Sequence, residues 1–234
     1  MKFVVVSLAF IVAFVAEAQE SVPVRKPKAT ATPLPSLPSP IELVSVESDL
    51  AGDGRVAHIS LRMTQGRRYV DEELWCGGGG RDKFQGAFEI CVSYPERPSV
   101  CTPLNPLLSY LGYKSVPPSP DPPLWFRAEP WTIEFADYNH DGRLDFTLGQ
   151  YGGCGGWGYT VLTIDPDGTV RRLLRDQIYL FGIGANSALL DVTPTGFHYS
   201  LRDEHDQWVC HEYESVPPKY ELRLRNELAV PCSD

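Results

Sequence analysis

The sequence predicts an all-β, antiparallel domain of small propeller-like or sandwich-like architecture, with a carboxylate-rich loop between two of its strands. Three observations carry that prediction. Apolar residues recur at every second position in several short stretches, as a sheet with one buried and one wet face requires: Phe88, Ile90 and Val92; Phe197, Tyr199 and Leu201; Tyr220, Leu222 and Leu224. Turn chemistry punctuates them, most clearly in Asp165-Pro166-Asp167-Gly168 between Tyr159–Ile164 and Thr169–Leu174, and again around Asp203 to Gln207. No stretch shows the period of a long amphipathic helix.

In chain order, residues 1–18 read as a secretory signal. Lys2 gives a short positive start, Phe3 to Val15 an apolar run, and Ala16-Glu17-Ala18 a small-x-small cleavage site. The expected setting is periplasmic or extracellular, with no membrane association after signal cleavage, because no later segment is long and apolar enough to span a bilayer. Residues 19–40 form a Pro-rich linker, with Pro23, Pro27, Pro33, Pro35, Pro38 and Pro40 among Ala, Thr and Ser. Such a composition buries too little apolar surface to offset its ordering entropy. The β domain is expected over 41–234, starting at Ile41 and holding roughly twelve strands, enough for about three four-stranded units. A Pro-rich insertion at 95–130 carries ten prolines and one short helical turn within Leu104–Tyr113. Its Leu, Tyr, Trp and Phe side chains suit either packing over the core or anchoring a protein partner.

The carboxylate-rich loop is Asp137-Tyr138-Asn139-His140-Asp141-Gly142-Arg143-Leu144-Asp145. Trp131, Ile133 and Phe135 alternate before it and Leu144, Phe146 and Leu148 after it, so both flanks read as strand. Oxygen-bearing side chains stand at positions 1, 3, 5 and 9, and Gly142 at position 6 permits a sharp turn. A hard cation such as Ca²⁺ takes about six to eight oxygens, which alternate residues of a tight loop can supply. An EF-hand would need flanking helices and an acidic residue at position 12, which here is Leu148. His140 occupies a non-ligand position and is expected to face water.

This spacing resembles the calcium loop of FG-GAP/VCBS-type repeats, the blades of integrin-like β-propellers. The resemblance implies side-chain ligands Asp137, Asn139, Asp141 and Asp145, a further oxygen from the backbone carbonyl of Arg143, and a structural Ca²⁺. A second stretch, Asp49-Leu50-Ala51-Gly52-Asp53-Gly54-Arg55-Val56-Ala57, aligns with the first. It has Ala51 at position 3 and Ala57 at position 9, keeps only Asp49 and Asp53, and is expected to be a structural turn or a weak site.

All six cysteines follow the signal, and an even number in an oxidising compartment implies disulfides. Fifteen pairings are possible. Those expected are Cys91–Cys101 across a local loop, Cys76–Cys154 between Gly-rich turns and Cys210–Cys232 near the C-terminus. Without a Cys-x-x-Cys spacing, zinc and thioredoxin-like chemistry have no support. The net charge of −9 disfavours nucleic acid and suits a basic protein partner. No Gly-x-Ser-x-Gly elbow or His-Glu-x-x-His occurs, and the Gly runs are not followed by Lys-Ser/Thr. Among the tryptophans, Gly-flanked Trp157 is the candidate for an exposed carbohydrate platform.

The leading expectation is therefore an exported, calcium-stabilised, non-catalytic β domain that binds another protein, through the 95–130 insertion. Two alternatives stand beside it. One is a periplasmic inhibitor or immunity protein against a peptidoglycan hydrolase, by analogy with small exported calcium-loop proteins. The other is a carbohydrate-binding module or hydrolase.

Overall fold

The computed structural model describes residues 36–70, 82–108, 124–151, 156–181, 184–202, 205 and 207–232. Residues 1–35, which hold the expected signal and most of the expected linker, lie outside the described residues, as do Cys76 and Cys154. Among the described residues the domain is almost entirely antiparallel β-structure in three sheets, with no closed barrel.

The first sheet is a meander of β1 (Ser36–Ser48), β2 (Ala57–Val70), β3 (Asp82–Ser93) and β4 (Val100–Pro103). A single turn of helix, α1 (Asn105–Leu108), follows, and then β5 (Leu124–Arg127), which also pairs with β3. β4 takes Glu89–Val92 and β5 takes Lys83–Gly86, so two short strands share one margin of β3. The second sheet repeats this plan. β6 (Phe135–Ala136), β7 (Asp145–Tyr151) and β8 (Gly156–Ile164) form a meander, and β9 (Val170–Arg172) and β10 (Ile178–Phe181) share the outer margin of β8. The third sheet is a plain meander of β11 (Asp191–Thr193), β12 (Gly196–Arg202), β13 (Trp208–Val216) and β14 (Glu221–Leu228).

Packing explains the layering. Phe146, Leu148, Leu162 and Ile164 of the second sheet join Ile59, Leu61, Phe88 and Ile90 of the first in one core. Trp157, Tyr159 and Val161 join Phe197, Tyr199 and Leu222 of the third in another. The pleat sends alternate residues to opposite faces, so the second sheet is buried on both. This is why β8 reads Gly-Trp-Gly-Tyr-Thr-Val-Leu-Thr-Ile with no wet face. Gly149 sits where a Cβ would meet Tyr159 at 2.6 Å and the Ala185 carbonyl at 2.8 Å, so only glycine fits that close approach.

Three buried amides complete the framework. Gln150 accepts from the Trp125 backbone N–H at 2.9 Å and donates to the Trp125 carbonyl at 3.1 Å. Asn186 does the same for Arg127, at 2.8 and 3.1 Å. Together they stand in for a neighbouring strand along the outer margin of β5. Asn105 accepts from the Phe88 N–H at 3.0 Å beside α1.

Several expectations shift. β1 begins at Ser36, with Ser36 paired to Gln65, so ordered backbone reaches into the stretch assigned to the linker rather than starting at Ile41. Before the carboxylate loop only Phe135–Ala136 is strand. Ile133 is buried as the alternation requires, but the N–H of Glu134 goes to Ser187 Oγ at 3.4 Å, not to a ladder. In β14 Leu222 is buried but Leu224 is 48% exposed, because β14 is an outer strand and the second core reaches it only at Leu222. In the Pro-rich insertion, Leu104, Leu108, Leu124 and Phe126 are core residues. The rest of it, 109–123, lies outside the described residues.

Two of the expected disulfides are formed, Cys91–Cys101 across the paired strands β3 and β4, and Cys210–Cys232, which ties the C-terminal stretch to β13. No helix among the described residues is long and apolar enough to cross a membrane. Opening the second bridge frees a loop of 22 residues, and chain entropy puts the cost at about 3 kcal/mol. A Cys210→Ser/Cys232→Ser double variant should therefore unfold at markedly lower urea concentration, with little change in far-UV circular dichroism below the transition.

Candidate metal centre

The loop between β6 and β7 is built by its first residue. Asp137 accepts the N–H of Asp141 on Oδ1 at 3.1 Å and the N–H of Gly142 on Oδ2 at 3.0 Å. Asp141 Oδ1 in turn accepts the N–H of Arg143 at 2.9 Å. These bonds curl the chain so that position 4 and position 6 are both left-handed, His140 at φ 57° and Gly142 at φ 82°. Gly142 adopts that conformation freely, whereas for His140 it costs about 1 kcal/mol.

The same frame recurs between β1 and β2. Asp49 accepts the N–H groups of Asp53 and Gly54 at 3.1 and 2.8 Å, and Asp53 accepts that of Arg55 at 3.0 Å. The left-handed residues are Gly52 at φ 64° and Gly54 at φ 85°, position for position. Each loop thus joins the first two strands of its meander, and they touch, the N–H of Leu144 donating to the Leu50 carbonyl at 2.8 Å.

The two loops differ in chemistry. In the first, the Arg55 guanidinium closes on Asp53, with Nε and Nη2 on Oδ2 at 2.9 and 2.6 Å, and holds that carboxyl below the usual carboxylate range. Position 9 is the buried methyl of Ala57. In the second, the arginine at the same position turns away: Arg143 donates through Nη2 to the Ile164 carbonyl at 2.7 Å. Position 9 is Asp145, wholly buried. Its Oδ2 accepts from the N–H of Tyr138 at 3.1 Å, and its Oδ1 has no hydrogen-bond partner.

An orphaned buried carboxylate oxygen is costly and uncommon. Desolvation, helped by the charges of Asp141 and Asp137, pushes the Asp145 carboxyl up to about 7. The Thr163 hydroxyl, its cross-strand neighbour, and the N–H of Tyr138 pull the other way. Asn139, also buried, accepts from the N–H of Asp141 at 3.2 Å and donates to Asp141 Oδ2 at 3.1 Å. Asp137, Asn139, Asp141 and Asp145 are thus gathered on one loop as a set of hard oxygen donors, the set Ca²⁺ prefers. A cation bound here would draw these oxygens inward around it. With that closure, and with Asp145 Oδ1 lacking any other partner, the residues fit the ion.

His140 is exposed, as the spacing suggested, and its Nε2 also meets the Thr193 carbonyl at 2.7 Å. Trp157 is not an exposed platform: it is 4% exposed, packed against Tyr159 and under the Arg127 guanidinium. Two tighter clusters of metal-type side chains, His198 with Cys210 and Cys232, and Glu89 with Cys91 and Cys101, have their sulfurs committed to disulfides and offer no thiolate. Sequence reading missed Arg55 and Thr163; the matching arginine at position 7 of both loops was the available signal. No protein-family profile, curated protein or solved structure matches the chain.

Proposed function

We propose that the chain is an exported, calcium-stabilised β domain of FG-GAP/VCBS-type repeats that binds another protein and carries out no chemistry itself. The observation that carries the calcium half is the buried, unpartnered Oδ1 of Asp145 at the ninth position of a loop already holding Asp137, Asn139 and Asp141. Two further points support it. The repeated strand plan of the first two sheets places both loops at the same connection. The arginine that fills the first loop is turned out of the second. The ion clamps the loop between β6 and β7, with Arg143 contributing its carbonyl, and its binding free energy adds to that of folding. The protein-binding half is supported by the outermost sheet, where Trp208, Leu224 and Leu228 stay more than two-fifths exposed. No comparable observation favours the hydrolase-inhibitor or carbohydrate readings.

Calorimetric titration of calcium into the chelated protein tests the metal directly. At about a hundredfold excess over Kd the ion should add about 2.7 kcal/mol, raising Tm by roughly 5–11 °C. Asp141→Ala should lose that gain. A melt indifferent to both chelation and Asp141→Ala removes the calcium reading.

A further inference from the structure

We infer that the 137–145 loop is a two-sided clamp, binding the ion on one side and gripping the third sheet on the other, so that calcium occupancy sets how firmly β11–β14 docks on the second sheet. This rests on the calcium reading above.

Three consecutive residues make the grip. The Tyr138 ring stands edge-on to Phe197 of β12 at 5.5 Å, and its hydroxyl accepts the N–H of Leu190, just before β11, at 3.1 Å. The Asn139 amide donates to the Tyr220 carbonyl, just before β14, at 3.4 Å, while its Oδ1 stays on the ligand side. The His140 ring donates to the carbonyl of Thr193, the last residue of β11, at 2.7 Å. β11 and β14 are the two outer strands of the third sheet, so one loop of the second sheet holds both of its margins. The first loop has no such reach. Its matching residues are Leu50, Ala51 and Gly52, of which Leu50 is buried in the core shared by the first two sheets and accepts from the N–H of Leu144. His140 keeps a side chain at a left-handed position where the first loop has glycine, and that side chain is the one on Thr193.

The coupling follows from charge. Without a cation, the Asp137 and Asp141 carboxylates repel one another around Tyr138, Asn139 and His140, and a loop that splays carries its outward grip with it. A cation that fixes positions 1, 3 and 5 fixes the residues between them. It then favours the docked state by its differential affinity for the two arrangements.

Amide hydrogen exchange on the whole chain, with calcium and with chelator, reads this locally. Calcium should slow exchange by about tenfold or more at 190–195 and 220–224, while the β2–β3 hairpin changes little. His140→Asn tolerates the left-handed backbone but is too short to reach Thr193, and it touches no proposed ligand oxygen. It should keep its calcium affinity by calorimetry and lose the calcium-dependent protection at 190–195. Tyr138→Phe keeps the ring against Phe197 and removes the acceptor for the Leu190 N–H without touching a proposed ligand, so protection at Leu190 should fall although calcium still binds. Calcium binding with unchanged exchange at both segments overturns the clamp and leaves the calcium reading standing. No calcium binding overturns both.

Discussion

Asp145→Asn should stabilise the chelated protein at pH 8 and destabilise the same protein in calcium. The carboxyl is wholly buried, and burial lifts its pKa to about 7 from 3.8. A raised acid stays protonated in the fold while it ionises in the unfolded chain. Its contribution is intact below about pH 4, declines as pH rises from 4 to 7, and is fully lost above 7. A rise from 3.8 to about 7 corresponds to about 4 kcal/mol. Metal-free protein should thus melt at a temperature that falls between pH 4 and 7, and Asn, carrying no charge to bury, should flatten that slope. On the proposed calcium reading the order should reverse in calcium, because an ion would replace the proton on Asp145 and an amide is a poorer ligand. Melting curves of both proteins, with chelator and with calcium across this pH range, provide the check. Wild-type protein that is flat from pH 4 to 7 in chelator would contradict it.

The second large effect belongs to Gln150→Leu. Leucine fills similar volume on β7 but cannot bridge the N–H and carbonyl of Trp125. Two backbone groups on the margin of β5 then lose their partner in a buried setting, at a cost on the order of 4 kcal/mol. Urea denaturation should show the loss, and Trp125 fluorescence should report loosening of β5. Gln150→Glu gives a sharper comparison: it keeps the acceptor for the Trp125 N–H but loses the donor and buries a charge, so it should be no better than Leu at neutral pH.

The all-β class, both local disulfides and the Asp-Pro-Asp-Gly turn were legible because each rests on neighbours in sequence. The turn closes through the Asp165–Thr169 backbone bond at 2.9 Å, as its composition requires. The tight turn of the 137–145 loop was legible for the same reason, since Asp137 and Asp141 bond to backbone N–H groups only a few residues on. Burial set the limits. Nothing near Trp157 in sequence reveals that Arg127, thirty residues earlier, lies over its ring. Nor does the alternation at Tyr220, Leu222 and Leu224 disclose that β14 is an outer strand with Leu224 in solvent. Likewise nothing near His140 in sequence reveals that this exposed side chain reaches the Thr193 carbonyl, which comes from a different sheet.

The arginine in the first loop has a consequence for how the two halves respond to their surroundings. Arg55 and Asp53 are 63% and 39% exposed, so their attraction is open to screening by any dissolved electrolyte. Sodium chloride should therefore loosen the β1–β2 turn while leaving a coordinated ion in the β6–β7 loop largely untouched. Chelation should do the opposite. On the proposed calcium reading, one chain would then carry two loops of the same shape, one answering to total ionic strength and the other to a single ionic species.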